Sequence, residues 1–580
     1  MTSSKLKSLV GAMAVAALAG VSTFASADDV TFERLLKADP SDWLSYHGSY
    51  KSWHYSALDQ INTGNVGKLK EAWSHAASRA NRGLQSFPLA IDGIVYYSSP
   101  YNQVYALDGA TGQMLWTYKQ KLNEDLVAKQ THSPYNRGIA AAYGNIYMGT
   151  LDGKLVAIDA KTGKLNWETK LVNSEKLTVG FTGAPLVVKD KVIIGAQGGE
   201  WPYRGPLFGV NAKTGEKVWQ FFTVGGNEGT PSDRRDTWGN ESWKTGGGGG
   251  WMAGGYDPET NLVWWGTGNP APLYDYAGDK WQTEGPRPGI NLYTTSVLLM
   301  DPDTGELKAF HQEIPHDAWD FDSAPGEFMM VEKGGKKYVV HAGKSGWVWV
   351  YDRMGKVQNV YKGVDNINFV KSIDPKTGEL IGRRDLAGGK HKNLCPSIAG
   401  GYSWNSGSYS PKTGLFYKVG WEWCIDLEVV KTEPVLEPMA QLNIGADFKF
   451  VPPEGDTLRG HIRARDPVTG KVAFEIPYKG PKAAPPHASL LTTGGGLLFV
   501  PEADGMLVAY DASNGKKLWS HNDGQGHDGG IISYKAKGKQ YIAVMTGWGS
   551  LVSDGYGDLW GEPWVSMPKD SGVLKVFSLD

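Results

Sequence analysis

The chain repeats one pattern of hydrophobic and polar positions along most of its length. A short apolar run ends in Asp or Asn, and Thr-Gly or Asn-Gly follows two residues later, often with a Trp further on. An Asp or Asn side chain can hydrogen-bond the turn backbone and Gly can adopt a positive φ, so each copy predicts a β-hairpin. The copies span residues 104–116, 155–167, 208–219, 298–310, 373–380, 463–474 and 507–519.

The spacing of the copies predicts how the hairpins assemble. Trp116, Trp167 and Trp219 end successive copies at intervals of 51 and 52 residues. A period near 50 residues with four short strands per unit is typical of a β-propeller, whose blades bury their faces against their neighbours. A solenoid is the alternative, but it favours more uniform spacing than the later copies show. We therefore expect an all-β fold built from blades of four antiparallel strands.

One glycine tract interrupts this pattern, at residues 246–250 of the stretch TGGGGGW. Strand-like sequence continues after it, so we interpret the tract as a place of close backbone approach and not as a flexible tether. No other low-complexity stretch divides the chain. The sequence therefore predicts a single propeller domain over residues 28–580.

The first 27 residues have the pattern of a secretory signal. Two lysines precede an apolar, alanine-rich run, and Ala25-Ser26-Ala27 gives the small residues at which such signals are cleaved. A membrane anchor is the alternative, but the apolar run is shorter than the ~20 residues that a spanning helix needs. We expect a mature protein that is exported to the periplasm, without a membrane span.

Charge and cysteine content narrow the classes of function. The formal net charge is −2 at pH 7, which gives no indication of a nucleic acid partner. The two cysteines, Cys395 and Cys424, predict one structural disulfide in an oxidising compartment. Metal ligation by this pair is the alternative, and the absence of a CxxC spacing disfavours it. The sequence has no CxxCH motif, so it predicts no covalently bound haem.

Several acidic or amide residues stand in unusual local settings. Asp317, Asp320 and Asp322 crowd into one aromatic stretch, Glu200 lies among glycines, and Asn269 precedes Pro-Ala-Pro. Such side chains supply the oxygen ligands that Ca²⁺ or a trivalent ion prefers. Each also has an ordinary alternative: a solvated acidic loop, an exposed Glu, or a turn Asn before Pro.

Together with the repeat, three motifs resemble those of a known family. They are Asp-x-Trp-Asp after Ile-Pro-His at 314–320, Gly-x-x-Gly-Gly-Glu before Arg-Gly at 195–205, and GTGNPAP at 266–272. These are similar to the site motifs of the pyrroloquinoline quinone (PQQ)-dependent alcohol dehydrogenases. The resemblance covers essentially the whole mature chain. It implies a secreted, eight-bladed propeller with PQQ and a metal ion near the central axis.

The resemblance also implies roles for individual residues. Asp320 matches the catalytic base, Trp251 the indole on which the quinone lies, and Thr182 a hydroxyl that contacts it. The implied metal ligands are Glu200, Asn269, Asp320 and Asp322, and the implied cofactor contacts are Gln85, Arg137, Thr182, Gly198, Gly199, Trp251 and Lys344.

Asp322 bears on the identity of the metal. The resemblance implies that this position is small or uncharged in calcium enzymes and an aspartate in lanthanide-dependent ones. A trivalent ion needs more negative charge around it, so a further carboxylate fits that chemistry. The alternative is an Asp at a turn before Ser323. We expect a lanthanide, with Ca²⁺ as the second candidate, and we expect Asp317 to orient the loop by hydrogen bonds.

This sequence departs from the family pattern around the site. Thr131 and His132 stand where many members have adjacent cysteines, Gln85 replaces an acid, Gly249 a hydroxyl residue, and Ser403 an Asn. These changes leave the predicted metal ligands and base in place. They remodel the rim of the pocket and weaken any inference to short-chain alcohols.

Three aromatic residues near these departures have two interpretations. His132, Tyr135 and His487 either line a roomier, more polar entrance or pack within the rim of the propeller. The sequence leaves both open.

The function implied is oxidation of a primary or bulky secondary alcohol to an aldehyde or ketone, with hydride transfer to PQQ. Electrons would pass to a cytochrome c, since the chain has no haem motif of its own, and a homodimer is possible. Two alternatives are a non-catalytic propeller scaffold of the cell envelope and a hydrolase using paired carboxylates. The first does not need the oxygen ligands, and the second does not explain Trp251.

Overall fold

Short β-strands carry most of the fold in the computed structural model, which describes residues 29–130, 134–437, 439–455, 458–480 and 483–580. The predicted signal at 1–27 lies outside these ranges. Within the described ranges there are four α-helices: α1 (Phe32–Leu36), α2 (Glu124–Lys129), α3 (Ser174–Leu177) and α4 (Leu551–Trp560). Four short 3₁₀ helices cover Val66–Lys68, Arg235–Thr237, Gly239–Thr245 and Gly278–Lys280. No helix in the described ranges has the length and apolarity to cross a membrane.

The strands follow one another at short intervals. In the first half they are β1 (Tyr55–Ser56), β2 (Lys70–Ala76), β3 (Leu89–Ile91), β4 (Ile94–Ser99), β5 (Gln103–Asp108), β6 (Met114–Lys119), β7 (Ala140–Ala142), β8 (Asn145–Gly149), β9 (Lys154–Asp159), β10 (Leu165–Lys170), β11 (Leu186–Val188), β12 (Lys191–Gly195), β13 (Pro206–Asn211), β14 (Lys217–Phe222), β15 (Gly255–Asp257), β16 (Leu262–Gly266), β17 (Ser296–Met300) and β18 (Leu307–Gln312).

The described part of the second half adds twenty strands. They are β19 (Met329–Lys333), β20 (Lys336–Ala342), β21 (Trp347–Tyr351), β22 (Val357–Lys362), β23 (Val370–Ile373), β24 (Leu380–Arg383), β25 (Gly389–Leu394), β26 (Ser408–Ser410), β27 (Leu415–Trp421), β28 (Cys424–Val429), β29 (Ala446–Val451), β30 (Leu458–Arg465), β31 (Val472–Lys479), β32 (Leu491–Thr493), β33 (Leu497–Pro501), β34 (Met506–Asp511), β35 (Lys517–Asn522), β36 (Ile531–Ala536), β37 (Lys539–Met545) and β38 (Val573–Ser578).

These strands form repeated antiparallel sheets, as expected for a β-propeller. Sheets β3–β6, β7–β10, β11–β14, β15–β18 and β19–β22 each take four consecutive strands. Strands β26, β27, β30 and β31 form another, and β32–β35 a further one to which β1 adds a parallel edge. In the last sheet β2 pairs with β38, so the first and last parts of the chain share one sheet.

The predicted hairpin turns have the expected chemistry. At the turn after β5, Asp108 Oδ1 accepts from Ala110 N at 3.0 Å, and Gly112 has a φ of +73°. The same side-chain bond to the backbone N–H two residues on recurs at Asp159, Asn211, Asp301, Asp374, Asp466 and Asp511. The repeat is therefore confirmed as a turn motif.

Two turns depart from the predicted assembly. The copy containing Asp374 lies in a separate two-stranded hairpin, β23–β24, which is inserted in the chain between the regular sheet β19–β22 and that of β26, β27, β30 and β31. The turn between β21 and β22 belongs to the regular series but lacks the Thr-Gly signature. There Asp352 Oδ1 accepts from Met354 N at 2.9 Å, and Gly355 supplies the positive φ.

The glycine of each Thr-Gly or Asn-Gly copy also packs on an aromatic side chain of a neighbouring sheet, whereas Gly355 contacts Leu299. A Cβ at Gly163 would lie 2.7 Å from the ring of Trp116, whose Nε1 donates to Ala160 O at 3.0 Å. The same contact joins Gly112 to Trp73, Gly215 to Trp167 and Gly305 to Trp219. The turn glycine and the strand-end Trp of the repeat therefore form one joint between neighbouring sheets.

Gly163→Ala should lower the free energy of unfolding by about 1–3 kcal/mol more than Gly144→Ala. The two glycines have similar positive φ values, +71° and +73°, so both alanines are strained. Only the first would overlap the Trp116 ring, because nothing lies within 4 Å of a Cβ at Gly144. Chemical denaturation of both variants measures the difference, and equal losses would contradict an aromatic joint at this turn.

A small sheet outside the regular series covers one end of the fold. Strands β25, β28 and β29 form it, and a disulfide joins Cys424 at the start of β28 to Cys395. The predicted disulfide is thus confirmed, and the described ranges contain no free cysteine. The loop it closes is of a size that contributes about 3–4 kcal/mol in the chain-entropy model. Helix α4 packs against β29.

Candidate active site

The predicted site residues come from loops that the topology places at one end of the sheets. Arg137, Thr182 and Trp251 lie on connections between sheets, while Glu200 and Lys344 lie between the second and third strands of their own sheets. In an up-and-down sheet both kinds of connection emerge at the same end. This explains how residues distant in sequence meet in one place.

Most of the predicted residues line one cavity of about 300 Å³. Those that do so are Arg137, Thr182, Gly198, Glu200, Trp251, Asp320, Asp322 and Lys344. Gly199 and Asn269 lie directly beside it, through contacts given below. Gln85 is buried but does not line the cavity.

Asp322 anchors two other site residues. Its Oδ1 accepts from Asn269 N at 2.7 Å, and its Oδ2 accepts from Trp251 Nε1 at 2.8 Å. The carboxylate is buried, so these charge-assisted bonds offset part of the cost of removing it from water. Asp322 therefore fixes the orientation of the Trp251 ring as well as adding a negative charge.

Asp320 forms the closest ion pair among the described residues that line the pocket. Lys344 Nζ lies 2.6 Å from its Oδ2 and 4.0 Å from Oδ2 of Asp322. Asp320 also has a φ of +68°, a conformation that non-glycine residues rarely adopt and that is typical of functional sites. Its other oxygen, Oδ1, is buried and has no hydrogen-bond partner among the described residues.

The charges of the pocket shift one another's pKa values. Burial raises the pKa of Asp320 well above its usual range; the Lys344 ammonium opposes this, and the carboxylates of Asp322 and Glu200 add to it. Burial and Asp322 likewise raise the pKa of Glu200. Burial lowers the pKa of Lys344, but Asp320 and Asp322 outweigh burial and raise it overall. The pocket thus concentrates negative charge around one ammonium group, which favours a bound cation.

Glycines allow the backbone to pack closely at the base of the pocket. A Cβ at Gly199 would overlap Oδ1 of Asn269, and a Cβ at Gly247 would overlap the carbonyl of Gly199. Gly248 N donates to Asn269 O at 2.9 Å. The glycine tract at 246–250 is therefore a place of close backbone approach, as predicted, and it holds Asn269 against the loop of Glu200.

Cationic and aromatic groups form another part of the pocket lining. The Arg137 guanidinium lies 5.0 Å from the centre of the Trp251 ring and 5.4 Å from that of Trp404. Its Nη1 donates to Thr182 Oγ1 at 3.1 Å, while its Nε is buried without a partner among the described residues. An indole ring with a buried cation beside it suits a flat, electron-poor anionic ligand.

The oxygen donors fit a metal ion. Oδ1 of Asn269 and Oδ1 of Asp320 are both buried and unpartnered in the part of the chain that the structure describes. A carboxylate oxygen has two lone pairs, so Oδ1 of Asp320 can face a cation with one and accept a proton with the other. Hard cations take such carboxylate and amide oxygens. Over those same residues, no three His, Cys, Asp or Glu side chains form a metal-binding group by themselves. The predicted set therefore relies on the Asn269 amide, and Lys344 competes for Asp320.

Asp317 has the supporting position expected of it. Its Oδ1 accepts from Trp319 N at 2.9 Å, and its Oδ2 accepts from Phe321 N at 2.8 Å and from Thr295 Oγ1 at 2.9 Å. These bonds fold the loop so that Asp320 points into the pocket. Asp317 does not line the cavity.

Two buried glutamines lack hydrogen-bond partners. Both amide atoms of Gln85 and of Gln197 are buried and unpartnered within the described ranges. Gln197 lines the cavity, whereas Gln85 does not. Sequence reasoning missed Gln197, although its place two residues before Gly199 in the glutamate motif was a usable signal.

Tyr135 and His487 differ in whether they line the pocket or pack within the rim of the propeller. Tyr135 lines the cavity. His487 is buried behind it, with its Nδ1 2.5 Å from Oδ1 of Asp528 and its ring packed on Trp404. Ser403 lines the cavity, and Thr131 and His132 lie outside the described residues.

Fold and pocket together define the class: a β-propeller with a buried acidic pocket suited to a cation and a flat ligand. The family model for the β-propeller domain of glucose, ethanol and alcohol dehydrogenases that use PQQ matches residues 43–356 and 455–542. The chain belongs to this family, the quinoprotein alcohol dehydrogenases, and it is a PQQ-dependent alcohol dehydrogenase.

Individual relatives agree with this assignment. Quinoprotein alcohol dehydrogenase PedH of Pseudomonas putida is 35% identical over 90% of this chain and 89% of its own length. Quinoprotein ethanol dehydrogenase of Pseudomonas aeruginosa is 35% identical over 98% and 95%. A solved europium-containing methanol dehydrogenase superposes with a TM-score of 0.85 at 32% identity, covering 94% of this chain and 99% of that one.

Proposed function

We propose that this dehydrogenase oxidises an alcohol to an aldehyde or ketone with Asp320 as the base that takes the hydroxyl proton. The observation that carries the proposal is the free, buried Oδ1 of Asp320 in the cavity, while Lys344 holds Oδ2. A carboxylate held in this way can accept a proton from a hydroxyl group within hydrogen-bond reach. When bound, PQQ supplies the two-electron acceptor for the hydride and the metal supplies Lewis acidity.

The residues around the base would hold the cofactor. Trp251 provides a flat apolar face whose tilt Asp322 fixes, and Arg137, Thr182 and Lys344 offer hydrogen-bond donors. Gln197 adds an unpartnered amide at the same cavity. We propose as cofactor contacts the predicted residues that line or adjoin the cavity, Arg137, Thr182, Gly198, Gly199, Trp251 and Lys344, and we add Gln197. Gln85 stays a prediction from the resemblance, since its side chain is buried away from the cavity.

We propose a lanthanide as the resident metal, with Ca²⁺ second. Glu200, Asn269, Asp320 and Asp322 would be the ligands. Three carboxylates line the pocket against the single ammonium group of Lys344, and the more negative a site is, the better it suits a trivalent than a divalent ion. The europium-containing relative supports the same choice.

The surrounding organisation belongs to the proposal as well. We propose eight blades, one for each of the seven four-stranded sheets and the sheet that β1 extends. We propose a mature domain of residues 28–580, exported to the periplasm after cleavage behind Ala27. A cytochrome c would accept the electrons.

Reconstitution tests this function. Purified apo-protein is mixed with PQQ and either La³⁺ or Ca²⁺, passed over a desalting column, and examined for quinone absorbance and for alcohol-dependent reduction of an artificial dye. We expect retained quinone, dye reduction and a carbonyl product, with La³⁺ giving the higher rate. Retained quinone without reduction by any alcohol would overturn the proposal, and a higher rate with Ca²⁺ would overturn the choice of metal.

A further inference from the structure

One wall of the cavity is apolar and comes from outside the regular sheets. We call it the apolar wall. It consists of Leu442, Ile444, Phe448, Leu551 and Val552. Phe448 belongs to β29 of the small disulfide-linked sheet, and Leu551 begins helix α4. The wall is therefore made by two insertions that meet over the pocket.

The backbone ties the apolar wall to the acidic part of the site. Asn443 N donates to Glu200 O at 2.9 Å, and its own carbonyl accepts from Leu273 N at 3.2 Å. Ile444 O accepts from Tyr274 N at 2.8 Å. Because these bonds connect the wall to the loop of Glu200, its distance from the charged groups is fixed.

Packing next to the wall supports it. Gly555 of α4 lies against the ring of Phe450, one pleat along β29 from Phe448, and a Cβ there would be 3.1 Å from that ring. Tyr556 packs edge-on against Trp423 with ring centres 4.9 Å apart. The disulfide holds Cys424, next to Trp423, and so anchors this layer. The side chains of the apolar wall are therefore held in place by the packing around them.

The cavity thus has a polar end and an apolar end. Asp320, Lys344 and Glu200 present charge at one end, whereas the side chains of the apolar wall have no hydrogen-bonding atoms. A ligand that matches both ends carries a hydroxyl on a hydrophobic body. Ethanol would leave the wall without a partner and gain nothing from it, since hydrophobic stabilisation scales with the apolar area buried.

We propose that the substrate is an alcohol carried on a bulky apolar frame, and that Phe448 and Leu551 determine this specificity. The inference rests on the proposed function, because it assumes that the hydroxyl reacts at Asp320. Each methylene buried on the wall should raise kcat/KM by about fourfold until the wall is covered.

A series of alcohols tests the substrate class with the PQQ- and metal-loaded enzyme. We expect kcat/KM to rise by about 10²-fold or more from ethanol to cyclohexylmethanol, with 1-hexanol in between. A flat series, or one in which ethanol is best, would overturn the inference and leave alcohol oxidation by this enzyme intact.

Variants test the two residues. Phe448→Ala and, independently, Leu551→Ala should each lower kcat/KM for cyclohexylmethanol by about tenfold or more and change that for ethanol by less than about twofold. Val435→Ala removes an exposed apolar side chain on the same insertion and serves as the matched control. Equal losses for both alcohols in both variants would overturn the specificity role.

A binding measurement separates this inference from the proposed function. The tertiary alcohol 1-adamantanol has no carbinol hydrogen, so it cannot be oxidised, yet it presents a hydroxyl on a bulky apolar frame. We expect it to bind in calorimetry, to compete with cyclohexylmethanol and to bind at least about tenfold more weakly to Phe448→Ala. Turnover of ethanol without adamantanol binding overturns only the inference. Adamantanol binding with no turnover of any alcohol overturns the proposed function and, with it, the substrate assignment.

Discussion

Replacing Asp320 with Asn is expected to lower kcat for alcohol oxidation by about 10²–10⁴-fold, the usual contribution of a general base. An amide cannot accept the hydroxyl proton, although it can keep a hydrogen bond through its Oδ1. It cannot form the ion pair that Lys344 makes with the carboxylate at 2.6 Å. The measurement is kcat with saturating PQQ, metal and alcohol, with quinone absorbance recorded on the same sample to show that the cofactor is still bound.

Glu502→Gln is the control for losing a buried carboxyl group. Glu502 is buried outside the cavity, and burial raises its pKa to about 8, so it is already largely neutral at pH 7. Its oxygens accept from Tyr478 Oη at 2.8 and 2.9 Å, and an amide oxygen can take over one of these bonds. We expect kcat within about twofold of the wild type. An Asp320→Asn enzyme with full activity would contradict the assignment of the base.

Asp322→Ala is expected to weaken La³⁺ binding by about 100-fold and Ca²⁺ binding by about tenfold, because ligand charge sets the affinity of such sites over several decades. The substitution leaves two predicted carboxylate ligands, Glu200 and Asp320, which match a divalent better than a trivalent ion. Metal titration by calorimetry into the PQQ-loaded protein gives both constants. Activity with each metal gives a second, independent readout.

Asp317→Asn separates the metal effect from damage to the loop. Asp317 holds the same loop through Trp319, Phe321 and Thr295 but does not reach the cavity. Its loss should therefore weaken La³⁺ and Ca²⁺ by similar factors. Since Asp322 also accepts from Trp251 Nε1, PQQ affinity must be measured in the Asp322→Ala enzyme as well. Equal losses of both metals in Asp322→Ala would contradict a role in metal selection.

The hairpins were predictable because their determinants are local. A turn such as that of Asp108 needs only an acceptor, three residues and a glycine, all within five positions of sequence. How the hairpins join into sheets was harder to predict. Asp374 has the same local signature, yet its hairpin pairs with no regular sheet, and nothing in the turn sequence indicates this.

The polar end of the site was also visible in the sequence. Glu200, Asn269 and Asp320 stand in motifs, and the resemblance to a family placed them together before any geometry was known. Local context was enough to expect a supporting role for Asp317. Gln85 shows the limit of this method, because its match to a family position did not put it on the cavity.

The apolar wall could not be predicted. Leu442, Phe448 and Leu551 have no motif, and apolar residues are ordinary in strands and helices. Their place depends on long-range contacts: the Cys395–Cys424 bridge and the packing of α4 on β29. A single sequence does not carry such pairings, so the part of the pocket that would select the substrate emerges only from the structure.

The pairing of β2 with β38 has a consequence for the order of folding. Lys70 faces Ser578 across this ladder, so the contact joins residues about 500 positions apart. Pairings of such long range close slowly, since the entropy of a very large loop is lost before any contact compensates for it. The loops that meet at Asp320 come from several different sheets of the same propeller. A ligand that binds only the assembled pocket therefore stabilises the fully folded protein by mass action. Because the β2–β38 pairing belongs to that folded state, binding at Asp320 should also make this distant pairing harder to open.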